Sequence, residues 1–137
     1  MIVIDASALA KYVLHEENWE RVGAYVRELR PLYSVDHVLK EVGNAIWKHC
    51  HLRRILGRDE ATRLYRALLR LIEAGVVILE PETDYLEAAL QLALDHGVTL
   101  YDSLYLAQAR RLGELLTSDE RQAEVAAKLD IEVRLIP

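Results

Sequence analysis

The chain begins with a short apolar run that ends in a carboxylate, from Met1 to Asp5, and the run from Leu115 to Asp119 repeats this design near the other end. Burying an unpaired charge is costly, so an ionised aspartate at the end of a buried strand requires a helix cap, a metal or a substrate as its partner. If both runs are parallel strands of one sheet, both carboxylates lie at its carboxyl edge, where open α/β folds bind ligands. The pattern therefore favours an α/β fold with a candidate site at that edge.

Short apolar runs alternate with longer segments of helical period along the chain. The predicted strands are Ile2 to Ile4, Leu32 to Val35, Val76 to Leu79, Leu115 to Thr117 and Val133 to Ile136. The predicted helices are Ala6 to Leu14, Trp19 to Arg30, Val35 to His51, Asp59 to Ala74, Thr83 to His96, Tyr101 to Leu112 and Arg121 to Lys128. Such alternation is typical of parallel strands joined by right-handed crossovers. Residues 1–137 are therefore expected to form one doubly wound α/β domain.

The composition predicts a cytoplasmic protein that does not enter a membrane. Cys50 is the only cysteine among 137 residues, which excludes an internal disulfide and is typical of a reducing compartment. No basic segment precedes the first apolar run, as a secretory signal requires, and no apolar stretch approaches the ~18 residues of a membrane span. We therefore expect a soluble, intracellular protein.

Charge is unevenly distributed along the chain. The formal net charge is −5, which by itself argues weakly against a nucleic-acid partner. Residues 40–70, however, carry eight basic and three acidic side chains. This segment forms either solvated helix faces or a surface that attracts a polyanion, and the sequence alone leaves both interpretations open.

Asp5 and Asp119 each have an alternative role as helix caps. Asp5 precedes a predicted helix, and its side chain can accept hydrogen bonds from the backbone N–H groups of the first turn. Asp119 with Gln122, or Thr117 with Glu120, has the spacing of a capping box. Neither aspartate alone therefore establishes a binding site.

Asp102 lies on the apolar face of a predicted helix. At about 100° per residue it shares one stripe with Tyr105, Leu106 and Ala109. A charge in this position needs a cation, N–H donors or a metal as its partner. A capping box with Thr99 as the N-cap is the alternative.

Glu41 completes a set of four carboxylates on separate elements, although periodicity alone places it on the flank of its helix, in solvent. Carboxylate oxygens are the hard ligands that Mg²⁺ prefers. Four of them crowded at one sheet edge repel each other unless a cation is present. A bound metal activates water and stabilises the charge that develops on a phosphate. Together the four acids indicate metal-dependent phosphoryl chemistry.

With these positions in view, the chain resembles the PIN-domain ribonucleases, specifically the short single-domain toxins of the VapC type. The resemblance covers nearly the whole chain and depends on four short motifs in a fixed order. These are Ile4 to Ser7, Glu41 with Asn44, Tyr101 to Leu104 followed by Ala107, and Thr117 to Asp119.

The resemblance implies a five-stranded parallel sheet flanked by helices in three α/β/α layers, with the four acids around Mg²⁺ or Mn²⁺. By this analogy Asp5 and Asp102 bind the metal directly, and Glu41 and Asp119 complete the site directly or through water. Three polar side chains are expected to orient the metal ligands or a bound water. They are Ser7, Thr117 and Asn44.

The family resemblance also implies an activity and partners. The protein is expected to be a magnesium-dependent endoribonuclease that forms homodimers and is inhibited by a cognate VapB-like antitoxin, whose tail occupies the active-site groove. A concave site suits single-stranded or looped RNA better than a stiff duplex. Four basic residues are candidates for contact with RNA or antitoxin: Lys48, Arg53, Arg54 and Arg58.

Two other classes of function compete with this interpretation. A haloacid-dehalogenase-like phosphatase or a receiver domain also begins with a strand that ends in aspartate. The phosphatase pattern requires a second aspartate where this chain has Ser7. A receiver requires a late lysine after its acids, whereas Lys128, the one lysine after Asp119, ends a predicted helix. A catalytically silent module that binds RNA or protein is the second alternative, against which the presence of all four acids argues.

Overall fold

The strands follow the short apolar runs of the sequence, in a computed structural model that describes residues 1–28 and 31–137. The strands are β1 (Ile2–Ile4), β2 (Leu32–Val35), β3 (Val77–Glu80), β4 (Glu114–Thr117) and β5 (Glu132–Leu135). The α-helices are α1 (Ala6–Leu14), α2 (Trp19–Glu28), α3 (Val38–Trp47), α4 (Arg58–Glu73), α5 (Leu86–His96), α6 (Leu100–Leu112) and α7 (Glu120–Lys128).

All five strands are parallel, in the order β3-β2-β1-β4-β5. Val3 pairs with Tyr33 of β2 on one side and with Leu115 of β4 on the other, so β1 is central. The chain proceeds from β1 towards β2 and β3 and later continues to β4 on the opposite side. The strand order therefore reverses between β1 and β4, and such a reversal opens a crevice at the carboxyl ends of the two strands. Asp5 and Asp119 follow these two strands.

The helices form two layers over the sheet. Helix α1 packs against α2, α3 and α4, whereas α6 packs against α5 and α7. Right-handed crossovers on the two sides of β1 place these groups on opposite faces. Val3, Ile4, Leu115 and Leu116 are fully buried between the layers, as expected for parallel strands covered on both faces. The predicted α/β/α fold with a five-stranded parallel sheet is confirmed.

The predicted third helix, Val35 to His51, is wrong at both ends. Val35 belongs to β2, where it pairs with Glu80, and α3 begins only at Val38. After Trp47 the chain continues as a π-helix, Lys48–Leu52. A π-helix has a wider turn than an α-helix, so a search for 3.6-residue periodicity does not distinguish the two.

Other boundaries differ by a few residues. Strand β3 begins at Val77, one residue after the predicted start, and a 3₁₀ turn at Glu82–Asp84 precedes α5, which was predicted to begin at Thr83. Leu29 and Arg30, at the end of the predicted second helix, lie outside the described residues. Within the described ranges, every helix is too short or too polar to cross a bilayer.

Candidate active site

Asp5 is held in place by hydrogen bonds to both of its carboxylate oxygens. The side chain is 3% exposed and caps α1 by accepting a hydrogen bond from the Ala8 backbone N–H at Oδ1, 3.0 Å away. The Ser7 hydroxyl donates to the same oxygen at 2.7 Å, and the Thr117 hydroxyl donates to Oδ2 at 2.5 Å. Asp5 is therefore both a cap and an oriented acid. Burial raises its pKa to about 6, because these three hydrogen bonds offset only part of the desolvation cost.

The turn after β4 is joined to Asp5 through the same hydroxyls. The Ser118 backbone N–H donates to Ser7 Oγ at 2.9 Å, and the Asp119 backbone N–H donates to Thr117 Oγ1 at 3.1 Å. Each hydroxyl thus accepts from the turn and donates to Asp5. These contacts fix the carboxyl ends of β1 and β4 relative to each other.

Asp119 is the N-cap of α7. Its Oδ1 accepts hydrogen bonds from the backbone N–H groups of Arg121 at 2.8 Å and of Gln122 at 3.1 Å. The alternative capping box, with Thr117 as the cap, is wrong, since α7 begins at Glu120. The Gln122 amide does not complete a capping box but donates to the Asp102 carbonyl oxygen at 2.9 Å, which links α7 to α6.

Asp102 lies in the first turn of α6 and is half-buried. The Thr99 hydroxyl accepts a hydrogen bond from the Asp102 backbone N–H at 3.2 Å, so the predicted N-cap at Thr99 is confirmed. Burial and the nearby charge of Asp119 raise the pKa of the Asp102 carboxyl. Helix capping therefore does not offset the electrostatic cost of ionising this carboxylate.

Glu41 does not lie in solvent, as periodicity alone indicated. Its side chain is 28% exposed, and Oε1 accepts a hydrogen bond of 3.0 Å from the Tyr105 hydroxyl of α6. Burial raises the pKa of Glu41 to about 7. The hydrogen bond from Tyr105 opposes this shift, and the charges of Asp102 and Asp5 add to it. Helix α6 covers the flank of α3 that the sequence pattern left open.

Four carboxylates from four separate segments line one cavity of about 250 Å³ at the carboxyl edge of the sheet. We name it the acidic cavity, and its acids are Asp5, Glu41, Asp102 and Asp119. Hard oxygen donors in this number are of the kind that Mg²⁺ or Mn²⁺ binds. In the part of the chain that the structure describes, however, no three acidic, histidine or cysteine side chains form a closed metal-binding group. The carboxylate donors are chemically suited to a divalent cation, but the side chains must move to coordinate one ion together.

A second cavity, of about 500 Å³, adjoins the acidic cavity and shares Glu41 and Ala45 with it. We name it the basic groove, since Lys40, Lys48 and Arg53 line it. Asn44, predicted to support the acids, is exposed in this groove and does not line the acidic cavity.

The remaining predicted basic contacts lie elsewhere. Arg58 lines a different cavity, beside Trp47 and Tyr65, and Arg54 is an exposed residue with a positive φ of 55°. Of the four candidates, only Lys48 and Arg53 line the groove that adjoins the acidic cavity.

Sequence reasoning missed two residues of this region. Tyr105, which donates a hydrogen bond to Glu41, follows Asp102 by about one helical turn on the same stripe. That spacing could have identified Tyr105 as a residue of the site. His37 is 8% exposed, and its Nε2 lies 3.2 Å from Glu41 Oε1. A lone histidine between β2 and α3 gives no comparable signal in the sequence.

Comparison with known proteins assigns the chain to a family and shows its fold in a solved structure. The model of the PIN domain family matches residues 2–128. Ribonuclease VapC3 from Pyrobaculum aerophilum is 38% identical over 124 residues, covering 90% of this chain and 92% of that protein. Exonuclease VapC9 from the same organism is 27% identical over 136 residues, covering 98% and 92%. The crystal structure of PAE2754 from Pyrobaculum aerophilum has a TM-score of 0.64 at 23% identity over 94% of each chain, which indicates a shared fold.

Proposed function

This chain belongs to the PIN domain family, and on that premise we propose that residues 1–137 form one divalent-metal-dependent endoribonuclease domain of the VapC toxin type. A nuclease acting on RNA is what the similarity to ribonuclease VapC3 supports. The observation that carries the proposal is the acidic cavity, where four separate segments of the fold each contribute one carboxylate. Helix capping explains the positions of Asp5 and Asp119, but burial disfavours the ionised forms of Asp5, Glu41 and Asp102, and a cation would offset this cost.

Asp5 and Asp102 are the proposed direct metal ligands, with Glu41 and Asp119 completing the site directly or through water. Mg²⁺ is the proposed ion, and Mn²⁺ has the same ligand preference. When bound, the ion activates water for attack on the phosphodiester and stabilises the charge that develops on the phosphate.

The surrounding side chains prepare the carboxylates for this task. Ser7 and Thr117 donate hydrogen bonds to the two oxygens of Asp5, which favours its ionised form and fixes its orientation. Tyr105 does the same for Glu41. Since metal binding requires deprotonated ligands, these hydroxyls oppose the effect of burial on both acids.

Lys48 and Arg53 are proposed to bind the phosphates of a single-stranded or looped RNA. Both line the basic groove, which meets the acidic cavity at Glu41. A flexible strand can follow this groove while one phosphodiester reaches the acids, whereas a duplex fits a concave edge poorly. Arg54 and Arg58 stay predictions with less support, given their positions outside the groove.

An exonuclease is the second candidate function, because one relative is named exonuclease VapC9. Cleavage of a circular single-stranded RNA separates the two, since a circle offers no end to an exonuclease. We expect the purified protein to open the circle with Mg²⁺ or Mn²⁺ and to lose this activity in EDTA. Digestion of only the linear form supports the exonuclease, and activity that persists in EDTA refutes the metal-dependent site. RNA binding without any cleavage supports the silent module.

A VapB-like antitoxin and a homodimer are the proposed partners. The VapC names of the relatives support the antitoxin, whose tail we expect in the basic groove. Exposed leucines on α5, with Leu90 47% and Leu94 70% exposed, favour self-association through this helix. Light scattering of the wild type and of Leu94→Lys tests the dimer, and a monomeric mass for the wild type refutes it.

A further inference from the structure

Tyr101 presents an exposed aromatic ring that lines the basic groove. It directly precedes Asp102, and 58% of its surface is exposed, whereas the next turn of α6 is almost fully buried. Its ring stacks on that of His37, with the ring centroids 4.9 Å apart and the planes 12° from parallel. His37 covers one face of the phenol ring, so the exposed surface of Tyr101 includes the opposite face, and both residues line the basic groove.

The imidazole that supports this ring is buried and lies between two carboxylates. His37 Nε2 lies 3.2 Å from Glu41 Oε1, and His37 Nδ1 lies 4.0 Å from Glu82 Oε2. Lys40 Nζ holds the same Glu82 oxygen at 3.3 Å. Burial restricts rotation of the imidazole, so Tyr101 packs on a fixed plane. A preorganised ring loses little conformational entropy when a second ring stacks on it.

The setting of this ring matches the requirements of nucleobase recognition. Proteins that bind single-stranded RNA combine a basic groove for the phosphates with exposed aromatic rings on which bases stack. Here Lys48 and Arg53 supply the basic groove and Tyr101 supplies the ring. Tyr101 and Glu41 both line the basic groove, and Glu41 also lines the acidic cavity, so a base stacked on the ring lies in the groove that leads to the acids.

We infer that the outer face of Tyr101 stacks on one nucleobase of the RNA and sets a base preference next to the cleaved bond. The inference rests on the proposed function, since it requires an RNA strand in the groove. A purine covers more of the phenol ring than a pyrimidine does, so the preferred base at this position is a purine. Tyr101 acts here as a specificity residue.

The test measures RNA binding in EDTA, so it does not depend on cleavage. Short single-stranded RNAs carry one 2-aminopurine at successive positions, and stacking is read as quenching of its fluorescence. We expect strong quenching at one position with the wild type and with Tyr101→Phe and Tyr101→Trp, and its loss with Tyr101→Leu. Removing the base at that position should weaken binding by the wild type about 10-fold and leave binding by Tyr101→Leu nearly unchanged.

Trp47→Leu is the matched control, because Trp47 is 48% exposed but borders a different cavity. This variant should keep both the quenching and the 10-fold effect. Equal quenching with the wild type and Tyr101→Leu, or an equal effect of base removal, overturns the inference. If the wild type cuts RNA with Mg²⁺ but its base preference does not depend on Tyr101, the stacking inference is refuted and the proposed function is not. If the wild type neither binds nor cuts RNA, the proposed function fails and the inference fails with it.

Discussion

The Tyr105 hydroxyl donates a hydrogen bond of 3.0 Å to Glu41 Oε1, and this contact joins α6 to α3 across the acidic cavity. The two residues are 64 positions apart in sequence. Tyr105 is 1% exposed, so its hydroxyl has a fixed direction and Glu41 is held among the other acids. Since the hydrogen bond favours ionised Glu41, removing it should change how the site responds to pH.

Tyr105→Phe is expected to shift the acid limb of the pH–rate profile of RNA cleavage to higher pH. The pKa of Glu41 is already raised to about 7, and loss of the hydrogen bond raises it further. Stability should fall by about 1 kcal/mol. Tyr85→Phe is the matched control, because this buried tyrosine donates to Glu80 Oε1 at 2.7 Å, away from the acidic cavity. Superimposable profiles for wild type and Tyr105→Phe refute the role of the hydroxyl.

Stability without metal should decrease as the solution becomes less acidic. Folding raises the pKa of Asp5 from 3.8 to about 6 and that of Glu41 from 4.5 to about 7. Between these values the folded protein holds protons that the unfolded chain has released, so the free energy of unfolding falls as pH rises. Glu41→Gln removes one such group. In EDTA, the melting temperature of Glu41→Gln minus that of the wild type should increase as the pH rises from about 5 to about 8.

Added Mg²⁺ should reduce the difference in melting temperature between Glu41→Gln and the wild type near the upper end of this pH range, because it stabilises the ionised acids of the wild type. Thermal unfolding of both proteins across the pH series measures the effect. If this difference varies with pH in the same way with and without Mg²⁺, the ion does not stabilise the ionised acids of the cavity.

Thr117→Val should weaken metal binding and cleavage by about 10- to 100-fold, the usual cost of losing a residue that orients a metal ligand. The substitution keeps the shape but removes the hydroxyl that donates to Asp5 Oδ2 and accepts from the Asp119 backbone N–H. Thr117→Ser keeps both hydrogen bonds and should retain most of the activity. Calorimetric titration with Mg²⁺ provides the measurement, and equal affinities for the Val and Ser variants contradict this role.

Arg53→Glu should weaken RNA binding more than Arg58→Glu, since Arg53 lines the basic groove and Arg58 lines a different cavity. The dependence of binding on salt should also become shallower, by about 0.7 in the logarithmic slope for each phosphate of a single strand that the protein no longer neutralises. Filter binding at several salt concentrations gives both quantities. An equal effect of the two reversals means that general charge, and not the groove, attracts the RNA.

The sheet edge was predictable from sequence because its signals are local. An apolar run that ends in Asp5 indicates a buried strand with a polar terminus, and β1 has these bounds. Thr99 likewise has an ordinary N-cap position three residues before Asp102. Such features depend on a few neighbouring residues, so tertiary packing does not change them.

The position of Glu41 was not predictable from its own helix, because its burial depends on Tyr105 from a distant segment. The end of α3 was missed for a different reason. After Trp47 the chain forms a π-helix, Lys48–Leu52, and α4 begins at Arg58, so Arg58 lies on another element and lines a different cavity from Lys48 and Arg53. Helical periodicity contains neither kind of information.

We propose that the four carboxylates act as one metal-dependent site, and cleavage of a single defined RNA at saturating Mg²⁺ is the decisive measurement. Asp102→Asn keeps the size of the side chain and removes its charge, and Glu87→Gln does the same for an exposed acid of α5. We predict a loss of more than about 100-fold for Asp102→Asn, with native circular dichroism, and no loss for Glu87→Gln. Wild-type cleavage rates for a folded Asp102→Asn protein would show that the carboxylates do not act as one metal-dependent site.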